Sequence, residues 1–155
     1  MRGILFEVIW SDQDVIEYRV QCSNGLFSGD VTLYSGHDDL RNAAVILAGF
    51  PVGPKDSRTL ELGTFEARAA GGGMKAEFSC VDSAGHVIAS VRLRADGRSG
   101  MGEAQSVCLE IPVEAGAIDS FVSQAHSAAS TAGAKAYLHM ADHTTDWVRR
   151  WFKSI

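Results

Sequence analysis

The sequence predicts an α+β domain with a mainly antiparallel sheet of about six to eight strands. Two observations lead to this prediction. Polar and apolar residues alternate in successive segments, which is the pattern of strands with one buried face. Two other segments place apolar residues at helical spacing, and each follows a series of strands. Because the apolar face of every strand must be covered, we expect two helices on one face of the sheet.

The first series of strands is predicted at residues 4–10, 16–22 and 26–34. In the second strand, apolar residues alternate with Glu17, Arg19 and Gln21. Asn24-Gly25 predicts a hairpin turn, because both residues tolerate positive φ. Gly29 then becomes a candidate β-bulge in the returning strand.

The first helix is predicted from an apolar stripe of Leu40, Ala43, Ala44 and Leu47. Asp38 or Asp39 is expected to cap its open N–H groups. The helix should end by Phe50-Pro51, since the residue before a proline resists helical geometry.

The second series repeats this order of strands and helix. The repeat is either an internal duplication or a coincidence, because this supersecondary arrangement is common. Strands are predicted at residues 60–69, 74–82, 87–94 and 107–111. Gly71-Gly72-Gly73 is interpreted as a flexible hairpin turn, and the glycine-rich segment 97–102 as a mobile loop. A second helix is predicted after Pro112. Its apolar stripe would be Ile118, Phe121, Val122, Ala125 and Ala129.

The whole chain, residues 1–155, is interpreted as one domain. Within it, 1–133 would form the α+β body and 134–155 an amphipathic helical segment. His139 and His143 would share one face of a helix in that segment.

Composition and charge disfavour several classes of protein. The chain is 46% hydrophobic and 21% charged, with a net charge of −5, which disfavours nucleic acid as a partner. The apolar run at residues 4–10 is interrupted by Glu7 and is too short to span a membrane.

The chain has three cysteines, an odd number, and all of them lie in strand-like runs: Cys22, Cys80 and Cys108. They predict free thiols and a cytoplasmic location.

Catalytic and metal-binding patterns are weak. Zinc sites need three or four convergent ligands, and His139 and His143 supply two. Met140 stands where a metalloprotease helix would carry its catalytic Glu. No Gly-x-Ser-x-Gly motif is present in the sequence. Neither Cys80 nor Cys108 lies at the N-terminus of a predicted helix, where the helix dipole would lower the pKa of a thiol. We therefore predict no catalytic residue, no metal and no cofactor.

The last residues of the chain have the most distinctive surface. Trp147, Trp151, Phe152 and Ile155 form an apolar face, opposite Arg149, Arg150 and Lys153. This face would dock on the body, form an interface with a partner or a second copy, or lie on a membrane surface. Docking is the favoured interpretation, and a membrane is the least favoured. The candidate partner contacts are Asp38, Asp39, Trp147, Arg150 and Trp151.

Over about residues 5–126 the order of features resembles the WapI-type immunity proteins and their uncharacterised bacterial relatives. The matching stretches are Tyr18-Arg19-Val20, Leu26-Phe27-Ser28-Gly29, Asp39-Leu40, Phe50-Pro51, Phe78-Ser79-Cys80-Val81-Asp82, Gly85-His86-Val87 and residues 114–121. The resemblance implies a protein without catalytic residues that binds and blocks a cognate toxin.

Three hypotheses about function follow. The first is a cytoplasmic, non-enzymatic protein that binds and blocks a partner protein. The second is a structural subunit that self-associates, for example as a homodimer, through Trp147 and Trp151. The third is a protein that binds a small molecule between sheet and helices.

Overall fold

The computed structural model describes residues 1–66, 69–96, 104–128 and 131–154. Within these ranges it contains eight strands and three helices, so the α+β class is confirmed. The strands are β1 (Gly3–Ser11), β2 (Ile16–Ser23), β3 (Ser28–Ser35), β4 (Ser57–Gly63), β5 (Gly73–Cys80), β6 (Val87–Arg94), β7 (Ser106–Val113) and β8 (Lys135–His139). The helices are α1 (Asp39–Leu47), α2 (Ala115–Ala128) and α3 (Asp146–Ser154). None of the described helices is long and apolar enough to cross a membrane.

The strands form two antiparallel sheets of four, where the sequence predicted one sheet. Their orders are β3-β2-β1-β8 and β4-β5-β6-β7. After β3 the chain leaves the first sheet through α1 and builds the second from consecutive strands. It returns after α2, and β8 pairs with β1 in a register that joins Gly3 to His139.

The two sheets meet where β3 crosses the strand ends of the second sheet. Gly29, near the start of β3, lies so close to β7 that a Cβ there would be 2.5 Å from Val107 Cγ1. Further along, the Gly72 N–H donates to the Thr32 carbonyl at 2.9 Å. Gly71, Gly72 and Gly73 are all buried at this junction. The predicted hairpin between the flanking strands is confirmed, since β4 pairs with β5, but its glycines are packed against β3 and Gly73 is already the first residue of β5.

One apolar core joins both sheets to α1 and α2. Tyr18, Phe78 and Phe121 are among its largest fully buried side chains. The rings of Phe6 on β1 and Phe121 on α2 lie 5.5 Å apart between centroids. The helix stripes are confirmed, with the buried residues Leu40, Ala43, Ala44, Leu47, Ile118, Phe121 and Ala125. Ala129 and Ile155 lie outside the described residues, as does the glycine-rich segment 97–102.

Two local predictions are corrected. The β2–β3 register runs unbroken past Gly29, and the irregularity lies instead in β1 between Val8 and Trp10. Helix α2 begins at Ala115 and not directly after Pro112, which is itself part of β7. Because β7 is an edge strand, a residue without an N–H is tolerated there. The Pro112 carbonyl accepts the Ala141 N–H at 2.8 Å.

The segment predicted as a C-terminal helix begins with a strand. Ala136 and Leu138 of β8 are buried, while Lys135 and His139 are exposed, which is a strand alternation over only five residues. Pairing with β8 gives the edge of β1 hydrogen-bond partners. The prediction that His139 and His143 share a helical face is therefore wrong, because His139 ends β8 and His143 lies in the turn before α3.

Candidate protein-binding surface

Helix α3 docks on the body of its own chain. Val148 is fully buried. The half-buried Trp147 donates its indole N–H to Glu114 Oε1 at 2.7 Å, and its ring stacks on His86 at 4.4 Å. Docking was one of the three interpretations of the C-terminal face, and these contacts agree with it for Trp147. Trp151 is half-buried and Arg150 is exposed.

The two aspartates expected to cap α1 make different contacts. Asp38 occupies the N-cap position but makes no side-chain capping hydrogen bond. Its exposed carboxylate instead pairs with Arg41 at 3.0 Å. The Asp39 carboxylate accepts hydrogen bonds from the Ser35 hydroxyl and from the Gly36 N–H. It therefore fixes the connection between β3 and α1. A partner contact by either aspartate stays a prediction, as it does for Trp147, Arg150 and Trp151.

Three of the histidines make local contacts, His86 with Asp82, His139 with Tyr137 and His143 with Arg2. His86 and His37 are both half-buried. The His86 Nδ1 lies 2.7 Å from Asp82 Oδ2, a contact that holds the pKa of Asp82 below its usual range. Among the described residues, no group of three or more His, Cys, Asp or Glu side chains could hold a metal ion.

The most exposed apolar side chains of the first sheet lie at the tip of the β2–β3 hairpin. Leu26 is 72% exposed and Phe27 is 67% exposed. A groove of about 370 Å³ runs from this tip to α3. We call it the hairpin groove, and its lining residues are Arg2, Asn24, Gly25, Leu26, Met140, His143 and Phe152. Arg2 Nη1 lies 2.6 Å from His143 Nδ1 and brings a cation to its rim.

Asn24 holds the hairpin tip in place. Its side-chain oxygen accepts the backbone N–H groups of Leu26 and Phe27 at 3.0 and 2.9 Å. Its amide nitrogen donates to the Glu110 carbonyl at 3.2 Å and so ties the tip to β7. The exposed Leu26 and Phe27 are therefore presented on an ordered turn. This order reduces the entropy that binding would cost.

Sequence reasoning missed this surface. It assigned Leu26 and Phe27 to a strand, although two adjacent apolar residues break the alternation that a one-sided strand shows. That break in the alternation, directly after Asn24-Gly25, was the feature of the sequence that could have indicated an exposed turn. The prediction of a hairpin at this position is confirmed, with Ser23 paired to Ser28.

The opposite end of the first sheet is acidic. Asp12 and Asp14 lie in the β1–β2 turn, and Asp38 follows β3. Backbone N–H groups of Asp14 and Val15 hold the pKa of Asp12 below its usual range. We call this surface the acidic end, and define it by Trp10, Asp12, Asp14, Tyr34 and Asp38. Trp10 and Tyr34 face out on the same row of the sheet, each paired with Glu17.

The three thiols differ in accessibility, which gives a direct test of the fold. Cys22 and Cys80 are buried and Cys108 is exposed. Burial raises the pKa of Cys22 to about 11, so at pH 8 only about one molecule in a thousand carries the reactive thiolate. We expect Ellman's reagent to titrate Cys108 rapidly and the two buried thiols only after denaturation. In Cys108→Ser the rapid phase should vanish, and a rapid phase that persists would contradict the structure.

Comparison of the chain with protein-family models, with curated proteins and with solved structures finds no match. The resemblance to WapI-type immunity proteins therefore stays a prediction.

Proposed function

We propose that this chain is a cytoplasmic, non-enzymatic protein that binds a partner protein through the hairpin groove and blocks the partner's surface. The observation that supports this most is the pairing of Leu26 and Phe27, both mostly exposed, with a groove lined by Met140 and Phe152. Exposed apolar side chains beside a concave apolar surface are typical of interaction sites. The three free thiols support a reducing compartment.

The mechanism would be steric occlusion. Leu26 and Phe27 would enter an apolar depression of the partner, while Phe152 and Met140 would receive a side chain from it. Arg2 at the rim would select the orientation by pairing with a carboxylate. No bond is made or broken in such a complex, so we expect binding without turnover.

The test uses proteins encoded beside this one, as expected for an immunity-like protein. Each neighbour would be purified and titrated with this chain by calorimetry, and its toxicity measured with and without co-expression. For a binding neighbour, Leu26→Ser/Phe27→Ser should weaken binding by about 2 kcal/mol or more, since a few buried anchors, aromatic ones above all, carry most of the binding energy of an interface. The matched control is Val45→Ser/Val52→Ser, two exposed apolar residues elsewhere.

Two results would count against the proposal. One is that no neighbouring protein binds or is neutralised. The other is that the hairpin variant binds as tightly as the control variant, which would place the interface outside the hairpin groove.

A further inference from the structure

Strand β4 is the last strand of the second sheet, so one of its edges faces away from β5. Asp56 and Thr64, which flank this strand, both make their main-chain hydrogen bonds toward the β5 side. In an antiparallel ladder these bonds fall on alternate residues, so the main-chain groups of Ser57, Thr59 and Glu61 point outward. All three residues are exposed, and no hydrogen-bond partner is found for their outward groups among the residues that the structure describes. An unpaired edge of this kind is a template for a further strand.

The other three edge strands have hydrogen-bond partners on their outward sides. On β8 the Gln124 side chain accepts the Tyr137 N–H at 3.0 Å and donates to the Tyr137 carbonyl at 3.4 Å. On β7 the carbonyls of Glu110 and Pro112 accept hydrogen bonds from the hairpin tip and from the segment after β8. On β3 the Thr32 carbonyl accepts an N–H of the glycine junction. An added strand would therefore meet the least competition at β4.

An exposed apolar patch of α1 lies beside this edge. The Arg58 side chain, on the same face of the sheet as the buried Leu60, donates to the Ile46 and Ala48 carbonyls at 2.6 and 3.1 Å. The end of α1 therefore lies against β4, where Val45 is 60% exposed and Ile46 is 41% exposed. A lone peptide strand on the edge would leave these side chains in water, whereas a second copy would bring its own α1 to the same side of the sheet.

Two copies of β4 complement each other when they pair antiparallel about a two-fold axis at Thr59. Each Thr59 then lies opposite the other, which is a favourable cross-strand pair. Each Ser57 lies opposite Glu61 of the second copy, so that a hydroxyl can donate to a carboxylate. The two Glu61 carboxylates fall at opposite ends of the contact, and no like charges face each other.

The charges at this edge are available to a second copy. Among the described residues, neither Glu61 nor Lys55 is in an ion pair. Lys75, which lies opposite Glu61 on β5, has its ammonium 2.9 Å from Glu77. The exposed Lys55, two residues before Ser57, lies at the end of the edge that Glu61 of the second copy would reach. The paired copies would thus set a cation near an anion at both ends of the contact.

We propose that two copies of this chain join through β4, with the two-fold axis at Thr59, so that their second sheets form one continuous antiparallel sheet. The contact uses the same surface on both copies, so the association closes at a dimer. It goes beyond the proposed function, because the hairpin groove is tied to β7, the opposite edge of the second sheet, and stays free.

The first experiment is sedimentation equilibrium of the full chain over a range of concentrations. We expect the average mass to rise with concentration to twice that of one chain and to stop there. A mass that stays at the monomer value at every concentration overturns the inference. A mass that passes that of a dimer overturns the closed two-fold contact.

Thr59→Pro tests the main-chain pairing at the axis. Proline is tolerated in an edge strand where the N–H points outward, but it cannot donate to a second copy. We expect the dimer to dissociate at least about tenfold more readily, because both hydrogen bonds at the axis are lost. The matched control is Thr59→Val, which keeps the N–H and a β-branched side chain and should dimerise like the wild type. A proline variant that dimerises as tightly as the valine variant overturns the inference.

A charge pair at the same position tests the register without altering the backbone. Thr59→Lys and Thr59→Glu should each dimerise weakly, because like charges would lie directly opposite each other at the axis. An equimolar mixture should form a heterodimer, since the charges are then opposite in sign. Ser90→Lys, an exposed change on the same face but on β6, is the control that dimerises normally. A mixture that stays monomeric overturns the axis at Thr59.

The inference and the proposed function fail in different variants. Leu26→Ser/Phe27→Ser should dimerise like the wild type, and Thr59→Pro should bind a neighbouring protein like the wild type in calorimetry. Val45→Ser/Val52→Ser stays a control for partner binding, because Val45 lies beside β4, and it should weaken the dimer. If the hairpin variant alone lost dimerisation, the contact between copies would lie at the groove and the inference would be overturned.

Discussion

Replacing Gly72 by alanine is expected to lower the free energy of unfolding by about 3 kcal/mol or more. An added Cβ would lie 2.2 Å from Val31 Cγ2 and 2.5 Å from the Arg94 carbonyl oxygen. The valine can turn, but the Arg94 oxygen belongs to the end of β6 and moves only with the sheet. Any shift of Gly72 also strains its hydrogen bond to Thr32, which joins the two sheets.

Gly116→Ala is the matched control for this change. Gly116 is an exposed residue of α2, and a Cβ there meets nothing within 4 Å. Alanine should stabilise the helix by up to about 1 kcal/mol. Urea unfolding followed by circular dichroism measures both variants. Equal midpoints for the two would show that the junction does not have the packing described.

The glycines of this junction show what the sequence could and could not predict. Alternation identified the strands around Gly71-Gly72-Gly73, because that signal is local. Whether three glycines form a loose turn or a packed junction depends on β3, some forty residues earlier in the chain. A strand with one buried face shows the same alternation whether it belongs to one sheet or to one of two. The sequence pattern therefore could not show that the strands divide between two sheets.

Strand β8 was missed for a related reason. It has five residues, and its buried members are only Ala136 and Leu138, so its periodicity is short and weak. What makes it a strand is the edge of β1, at the far end of the chain. By contrast, the α1 stripe from Leu40 to Leu47 spans two helical turns and was predicted correctly.

The hairpin groove could not have been predicted as a site. Its lining comes from three places in the chain, near Arg2, at residues 24–26 and at residues 140–152. Each segment is ordinary alone, and only the return of the chain through β8 and α3 brings them together. The candidate contact Trp147 was identified from its apolar face, but its partners Glu114 and His86 were not.

Ending the chain at Thr144 is expected to cost about 3–5 kcal/mol of stability. Removing α3 exposes the part of the body against which Val148 is fully buried and Trp147 and Trp151 are half-buried. Glu114 would also lose its indole donor, and His86 its stacked ring. We therefore expect a lower melting temperature, or aggregation, measured by circular dichroism and light scattering.

Two single substitutions separate packing from surface effects within the same helix. Val148→Ala should destabilise the protein by about 1–3 kcal/mol, because it leaves a cavity under α3. Arg150→Ala, at an exposed position, should change stability by less than about 0.5 kcal/mol. If the chain ending at Thr144 were as stable as the full chain, α3 would not be part of the core. Its tryptophans would then be free to form an interface, as the self-associating hypothesis first expected.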